Sequence, residues 1–238
     1  METIKGKNVL LIGATGGIGS KTAKLLAQSG ANLFLTGRNP EKLKAIGSEL
    51  KLNDNQLFIG DVTKAMEVEQ LKTQYFHCYN SIDVFINASG IGIIKSSDQL
   101  TEEEFLKTLT INLYAPFLLL KAFLPAMKEV KRGLIIHIPG VLGKVPMLGA
   151  AAYSASKYGL VGMTQSIREE IKRTDIRFTN IFMGGVDSEF WDNIDLRVQR
   201  DKMITTEEAA KAIWFLCQQP EHGVISEMVL QPFNHQAI

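Results

Sequence analysis

NVLLIGATGGIG, Asn8 to Gly19, sets the reading of the whole chain. Asn8 to Ile12 is a continuous apolar run, the pattern of a strand buried on both faces rather than one face wet. Gly13, Gly16, Gly17 and Gly19 follow at once. A helical pattern then runs from Ser20 to Ser29, with Ala23, Leu26 and Ala27 on its inner face and Gly30 as a stop. Strand, glycine turn and helix in that order form a cradle. Without side chains at Gly13, Gly17 and Gly19, and with Thr15 and Ile18 in the same turn, backbone N–H groups can approach a pyrophosphate lying at the helix N-terminus. The stretch is therefore expected to bind a dinucleotide.

The same alternation continues along the chain. A second strand, Asn32 to Thr36, ends in Gly37-Arg38, where folds of this kind choose between two nicotinamide cofactors. An acidic residue there would bind the ribose 2′-OH. Gly37 instead leaves room and Arg38 offers a fork of donors to a 2′-phosphate, so NADP is expected over NAD. After a helix from Pro40 to Leu50, the strand Gln56 to Gly60 delivers Asp61-Val62, placed for an adenine contact or for capping a helix near Thr63. The fourth strand, Ile82 to Ile86, leads into Asn87-Ala88-Ser89-Gly90, whose small residues permit close approach of a cofactor.

A helical stretch from Thr101 to Lys131 opens with the capping box Thr101-x-x-Glu104 and carries Asn112 inside it, with Pro116 and Pro125 implying bends or breaks. Strands at Leu134–Ile138, Arg177–Met183 and Val224–Leu230 and helices to Arg173 and from Thr206 to Gln218 complete the pattern. Seven apolar strands alternating with helices, without linker or repeat, describe one α/β domain over residues 1–238: a doubly wound Rossmann sheet, parallel, with helices on both faces.

Within the helix that begins near Ala150, Tyr153 and Lys157 are four residues apart and share a face. An ammonium beside a phenol stabilises the phenolate, so Tyr153 is a candidate proton donor and acceptor near neutral pH.

The bulk numbers narrow the partners. With 26 basic and 25 acidic residues the formal charge is +1, and no polybasic tract offers itself to nucleic acid or an anionic membrane. Ala115 to Leu120 is the longest apolar run, far short of the roughly 20 residues of a membrane span. The run at Val9 lacks the cleavage pattern of a signal peptide, so a cytoplasmic protein is expected. Cys78 and Cys217 lack a CxxC or His partner, which suggests reduced core thiols and no metal site.

With these parts in register the chain resembles the short-chain dehydrogenase/reductase family from about Lys5 to Pro232: the glycine turn, Asp61-Val62, Asn87 to Gly90, Asn112 and Tyr153-x-x-x-Lys157 stand in family order. The resemblance implies NADP(H)-dependent hydride transfer between nicotinamide and a carbonyl or alcohol carbon. It implies that Tyr153 exchanges the oxygen-bound proton, that Lys157 lowers the tyrosine pKa and bonds the nicotinamide ribose, and that Asn112 holds a relay water. Val186 and Ser188 match the segment that fixes the carboxamide, and a homodimer or homotetramer is implied. Phe117 to Leu120, Phe123 and Leu124 agree, as more apolar surface than one helix stripe buries.

One position departs from the pattern. The family serine that donates to the substrate oxygen falls on Gly140, thirteen residues before Tyr153. Losing such a donor costs on the order of 10²- to 10³-fold in rate. Ser154 and Ser156 lie about 100° and 300° round the helix from Tyr153 and do not obviously replace it. Three readings stay open: a reductase using another donor, an NADP-binding sensor or partner subunit with weak turnover, or a different reaction on the same site. Gly140→Ser is expected to raise carbonyl reduction if the missing donor is limiting. The loop Val141–Leu148 and the insertion with Phe190, Trp191, Leu196 and Met203 suggest an apolar small-molecule substrate, with Arg197 and Arg200 available to an anionic group.

Overall fold

The computed structural model of the protein describes residues 2–194, 196–220 and 222–236. Seven strands form one fully parallel sheet in the order β3-β2-β1-β4-β5-β6-β9. They are β1 (Asn8–Ile12), β2 (Asn32–Gly37), β3 (Leu57–Ile59), β4 (Val84–Asn87), β5 (Arg132–His137), β6 (Asp175–Met183) and β9 (Glu227–Leu230). Two short strands, β7 (Val186–Asp187) and β8 (Ile204–Thr205), pair separately and close the base of the 189–203 insertion.

The uninterrupted apolar run of β1 is explained by its two faces. Val9 and Leu11 enter one core with Ala23 and Leu26 of α1 (Gly17–Gln28), Leu43 of α2 (Pro40–Glu49) and Ile213 of α7 (Thr206–Leu216). Leu10 and Ile12 enter the other. That core holds Leu71 and Tyr75 of α3 (Ala65–Cys78), Leu119 and Phe123 of α5 (Ala115–Val130) and Ile171 of α6 (Ala151–Ile171). Both layers are apolar, so alternation disappears from the central strands. Cys217 is buried but Cys78 is only partly so, its Sγ donating to the Asn55 carbonyl at 3.1 Å.

The long helical stretch corrects the expectation of a break. Helix α4 (Glu102–Leu109) passes into α5 through a π-type turn, Thr110–Tyr114, and the helix runs on past both prolines to Val130. Pro116 has no N–H to return to the carbonyl of Asn112, and the wider turn absorbs the mismatch at that point. By length and composition Glu102–Val130 could cross a membrane. Here it is a core helix: Leu118, Leu119, Leu120, Phe123 and Leu124 are all buried. Of the six apolar residues read as an oligomer surface, only Phe117 is exposed, stacked on Tyr114.

Chain order reverses between β1 and β4, and the crevice beyond their C-terminal ends is where open α/β sheets bind ligands. The two loops there touch. A Cβ on Gly13, whose φ is +80°, would lie 2.9 Å from Ser89 N, and one on Gly19 would lie 2.2 Å from the Gly13 carbonyl oxygen. Both obstacles are backbone and cannot rotate away. Gly19→Ala should therefore destabilise the protein by about 1–3 kcal/mol, a fall of roughly 2–12 °C in Tm for a chain of this size. An unchanged melting temperature would contradict this packing.

Candidate active site

Two clefts open at the C-terminal edge of the sheet. The first, about 290 Å³, is bordered by the β1 and β4 loops and the end of β2; Gly13, Thr15, Arg38, Asp61, Val62, Ala88 and Gly90 all line it. Gly37 is required to be bare, since a Cβ there would lie 2.5 Å from Thr15 Cγ2. Helix α1 points its N-terminus into this region without a side-chain cap or an acidic residue in its first turn. Its free N–H groups and positive partial charge suit an anion. Gly17 stands at the seam with the insertion, where a Cβ would come within 3.1 Å of Ser188 Cβ and Thr206 Cγ2.

Asp61 borders the first cleft but does not cap a helix. Its Oδ1 accepts from Thr63 N at 3.0 Å and Thr63 Oγ1 at 2.8 Å, while the residue still borders the cleft. Burial alone would raise its pKa, but the Thr63 bonds and the charges of Arg38 and Lys64 outweigh this and hold it below the usual range. The helix it was expected to cap starts later, at Ala65. Asn87 is buried at the end of β4, its Oδ1 accepting from Ser89 N and Oγ, so it shapes the loop from within.

The second cleft, about 460 Å³, contains Tyr153, Gly140, Ile18, Val186 and Ser188, and is otherwise mainly apolar. Met147, Met183, Trp191, Leu196 and Met203 supply much of that surface. Phe190 lies on Tyr153, ring centres 5.8 Å apart. Ser188 caps the short turn Glu189–Asn193, and the Val186 carbonyl accepts from Trp191 Nε1 at 2.9 Å. Arg200 is already committed: it pairs with Asp187 and Asp192 at 2.5 and 2.7 Å and donates to the Ser188 carbonyl. The role suggested for it toward an anionic substrate is withdrawn on that ground, and Arg197 keeps its place on the wall.

Behind Tyr153 lies a buried polar cluster. Lys157 is 4% exposed and donates to the Ile138 carbonyl at 3.1 Å, with its Nζ 5.4 Å from the centre of the Tyr153 ring. Burial pushes the lysine down to about 8 and pushes the Tyr153 phenol up. The expected lowering of the tyrosine by the lysine is thus absent here: desolvation acts on both groups, and the ammonium is turned to a backbone carbonyl. Asn112 is fully engaged. Its Oδ1 accepts from Ile91 N at 2.9 Å, and its Nδ2 donates to the Ile91 carbonyl at 2.9 Å and to Ser156 Oγ at 3.0 Å. Ser156 in turn donates to the Tyr153 carbonyl at 2.7 Å. The amide therefore ties the β4 loop to the tyrosine helix. A Cβ on Gly90 would lie 3.3 Å from Asn112 Oδ1 and 3.4 Å from Lys157 Nζ, which places all three at one point.

Gly140 occupies the wall beside Tyr153. A Cβ there would lie 3.9 Å from the Tyr153 hydroxyl, so the position suits a donor. Its backbone does not: φ 71° and ψ 171° fall in a region that is essentially glycine-only.

Sequence reasoning missed several neighbours. Lys42 and Glu189 reach the first cleft from opposite sides, and Asn234 and His235 of the C-terminal segment reach the second. It also missed His137, fully buried and stacked on Phe178, whose ring nitrogens have no protein partner among the described residues. Burial and the nearby Lys157 charge push it down to about 3, which keeps it neutral.

Comparison with known proteins agrees with this geometry. Residues 7–199 match the short chain dehydrogenase family. An uncharacterized oxidoreductase of Staphylococcus saprophyticus is 30% identical, covering 98% of both chains. One from Staphylococcus epidermidis is 28% identical over 98% of this chain and all of its own. An alcohol dehydrogenase from Thermococcus sibiricus, solved with 5-hydroxy-NADP, superposes with a TM-score of 0.88 at 26% identity, covering 98% of this chain and 100% of that one. A metagenomic short-chain oxidoreductase solved with NADP gives 0.82 at 29% identity, covering 97% and 99%. A fold, a crevice and a family match over most of the sequence converge: the chain belongs to the short-chain dehydrogenase family.

Proposed function

We propose that the protein is an NADP(H)-dependent oxidoreductase acting on an apolar carbonyl or alcohol, with Tyr153 as its acid and base. One observation carries this reading: a single turn divides the two clefts, Glu189 lining the nucleotide one and Ser188 and Phe190 the apolar one, and Tyr153 lines the apolar cleft while the buried Lys157 Nζ reaches to within 3.4 Å of a Cβ on Gly90 of the nucleotide cleft. The two NADP-bound relatives support the cofactor.

The chain's own groups divide the work. The Gly13–Gly19 turn and the α1 N-terminus bind the pyrophosphate, Arg38 the 2′-phosphate, and Asp61 and Val62 the adenine end. Asn87, Ala88 and Gly90 keep the crevice narrow and bare, while Val186 and Ser188 hold the carboxamide. The bound cofactor supplies or accepts the hydride. Tyr153 Oη gives its proton to the substrate oxygen, or takes it back in the reverse direction. Lys157, held by the Ile138 carbonyl in the ligand-free protein, would bond the ribose of bound cofactor, and its charge beside the phenol would then support the phenolate. Asn112, its amide fully engaged with Ile91 and Ser156, acts by fixing the loop and helix that frame this point and not by holding a relay water on its side chain. The mainly apolar lining of the second cleft suits an apolar substrate. The exposed Phe117 and Tyr114 are the part of the helix face that a second copy would cover.

Gly140 favours a second reading, in which cofactor binds but turnover is weak, because that wall offers no hydroxyl to the substrate oxygen. Cofactor oxidation against a panel of apolar aldehydes and ketones separates the two. Tyr153→Phe should lower kcat by about 10²- to 10⁴-fold while NADPH affinity stays within a few-fold. Tight NADPH binding by the unaltered protein with no oxidation in any assay would favour the second reading.

Simple restoration of the serine meets the backbone. Gly140→Ser and Gly140→Ala should each cost about 1–3 kcal/mol from the strained φ and ψ, read as a lower Tm. Any activity of the serine variant above the alanine variant then measures the hydroxyl alone. Equal stability of both variants with the unaltered protein would contradict the strained geometry.

A further inference from the structure

Lys42 stands on the same wall of the nucleotide cleft as Gly37, Arg38 and Asn39. Its placement is fixed by helix α2, whose cap residue Asn39 accepts from the Lys42 N–H at 2.8 Å. Arg38 makes no ion pair among the described residues, but Lys42 does. Its Nζ lies 2.9 Å from both carboxylate oxygens of Glu189, a residue 147 positions away that reaches in from the insertion after β7. Among the described residues, this ion pair is the one that ties the turn Glu189–Asn193 to the β2–α2 half of the molecule.

The next residue, Phe190, packs beside Tyr153 in the apolar cleft. Its ring lies against Tyr153 and so close to Gly92 that a Cβ there would be 2.2 Å from it. One short turn thus places a carboxylate on the nucleotide side and an aromatic plug over the tyrosine. The pair is half-exposed, with side chains 49% and 67% accessible, and pairs of that kind hold weakly. A phosphate monoester offers Lys42 three acceptor oxygens and nearly two charges in place of one carboxylate. Its charge also repels Glu189 at close range.

We infer that Lys42 is a second determinant of 2′-phosphate recognition, held by Glu189 until that phosphate arrives, and that its transfer from carboxylate to phosphate releases Phe190 from Tyr153. A nucleotide lacking the 2′-phosphate then fills the cleft without uncovering the tyrosine. Lys42 acts on specificity by contact and on access through Glu189.

The inference rests on the NADP reading, and a fragment that never reaches Tyr153 separates the two. Adenosine 2′,5′-bisphosphate and 5′-AMP are titrated by calorimetry, with Trp191 emission followed in a Trp214→Phe background, where it is the remaining tryptophan. The bisphosphate is expected to bind at least tenfold tighter than AMP and alone to shift Trp191 emission. Lys42→Met should lose about tenfold in bisphosphate affinity with AMP unchanged, and Lys42→Arg should recover most of it. Glu189→Gln should show the shifted emission without ligand and bind the bisphosphate several-fold tighter. Tight bisphosphate binding with unmoved emission, or with Lys42→Met unaffected, overturns the inference and leaves the NADP reading standing. Bisphosphate binding no better than AMP overturns both.

Discussion

The structure depends on the backbone contact at the switch point of the sheet, where the loop after β1 meets the loop after β4 without an intervening side chain. Gly13 faces Ser89 N, and Gly19 faces the Gly13 carbonyl, at separations that would place any Cβ inside van der Waals distance. This closeness seats helix α1 with its N-terminus at the crevice and brings Gly90 to Asn112 and Lys157. The glycine turn and the buried cluster behind Tyr153 are consequently one construction. A shift at the glycine turn would move both.

The second constraint is desolvation. Lys157 is held in a buried position where its charge is disfavoured, so its pKa falls to about 8 and the neighbouring phenol rises. The Tyr153 phenol therefore keeps its proton at neutral pH in the ligand-free protein. Asn112 and Ser156 stabilise the cluster by satisfying one another and the backbone of Ile91 and Tyr153. The substrate side is built differently: its wall at Gly140 is held in a conformation closed to other residues, so the missing donor is a feature of the backbone as well as of the side chain.

How much of this was legible follows from the range of each interaction. The sheet could be read because each strand is a local apolar run and each turn a local glycine cluster, and Gly13, Thr15, Arg38 and Asp61, the residues expected at a cofactor, follow strand ends that topology brings to one cleft. Tyr153 and Lys157 were legible through helical spacing. The Lys42–Glu189 pair, Phe190 against Gly92, and Asn234 and His235 beside the second cleft were not, since contacts across long stretches of chain leave no periodic trace. The left-handed φ of Gly140 and the π-type turn around Asn112 were hidden for another reason: both are set by tertiary packing, which overrides local propensity. The tyrosine pKa was misread because pairing was visible in the sequence and burial was not.

Hydride transfer in this crevice, as proposed, relies on Tyr153 although Gly140 offers no hydroxyl. It is tested most directly by following the label from NADPH deuterated at nicotinamide C4 on incubation with an apolar aldehyde or ketone. Deuterium is expected on the carbinol carbon of the product and is expected to be lost when Tyr153 is replaced by Phe. NADPH that binds in the crevice and keeps its deuterium with every carbonyl tried would contradict it.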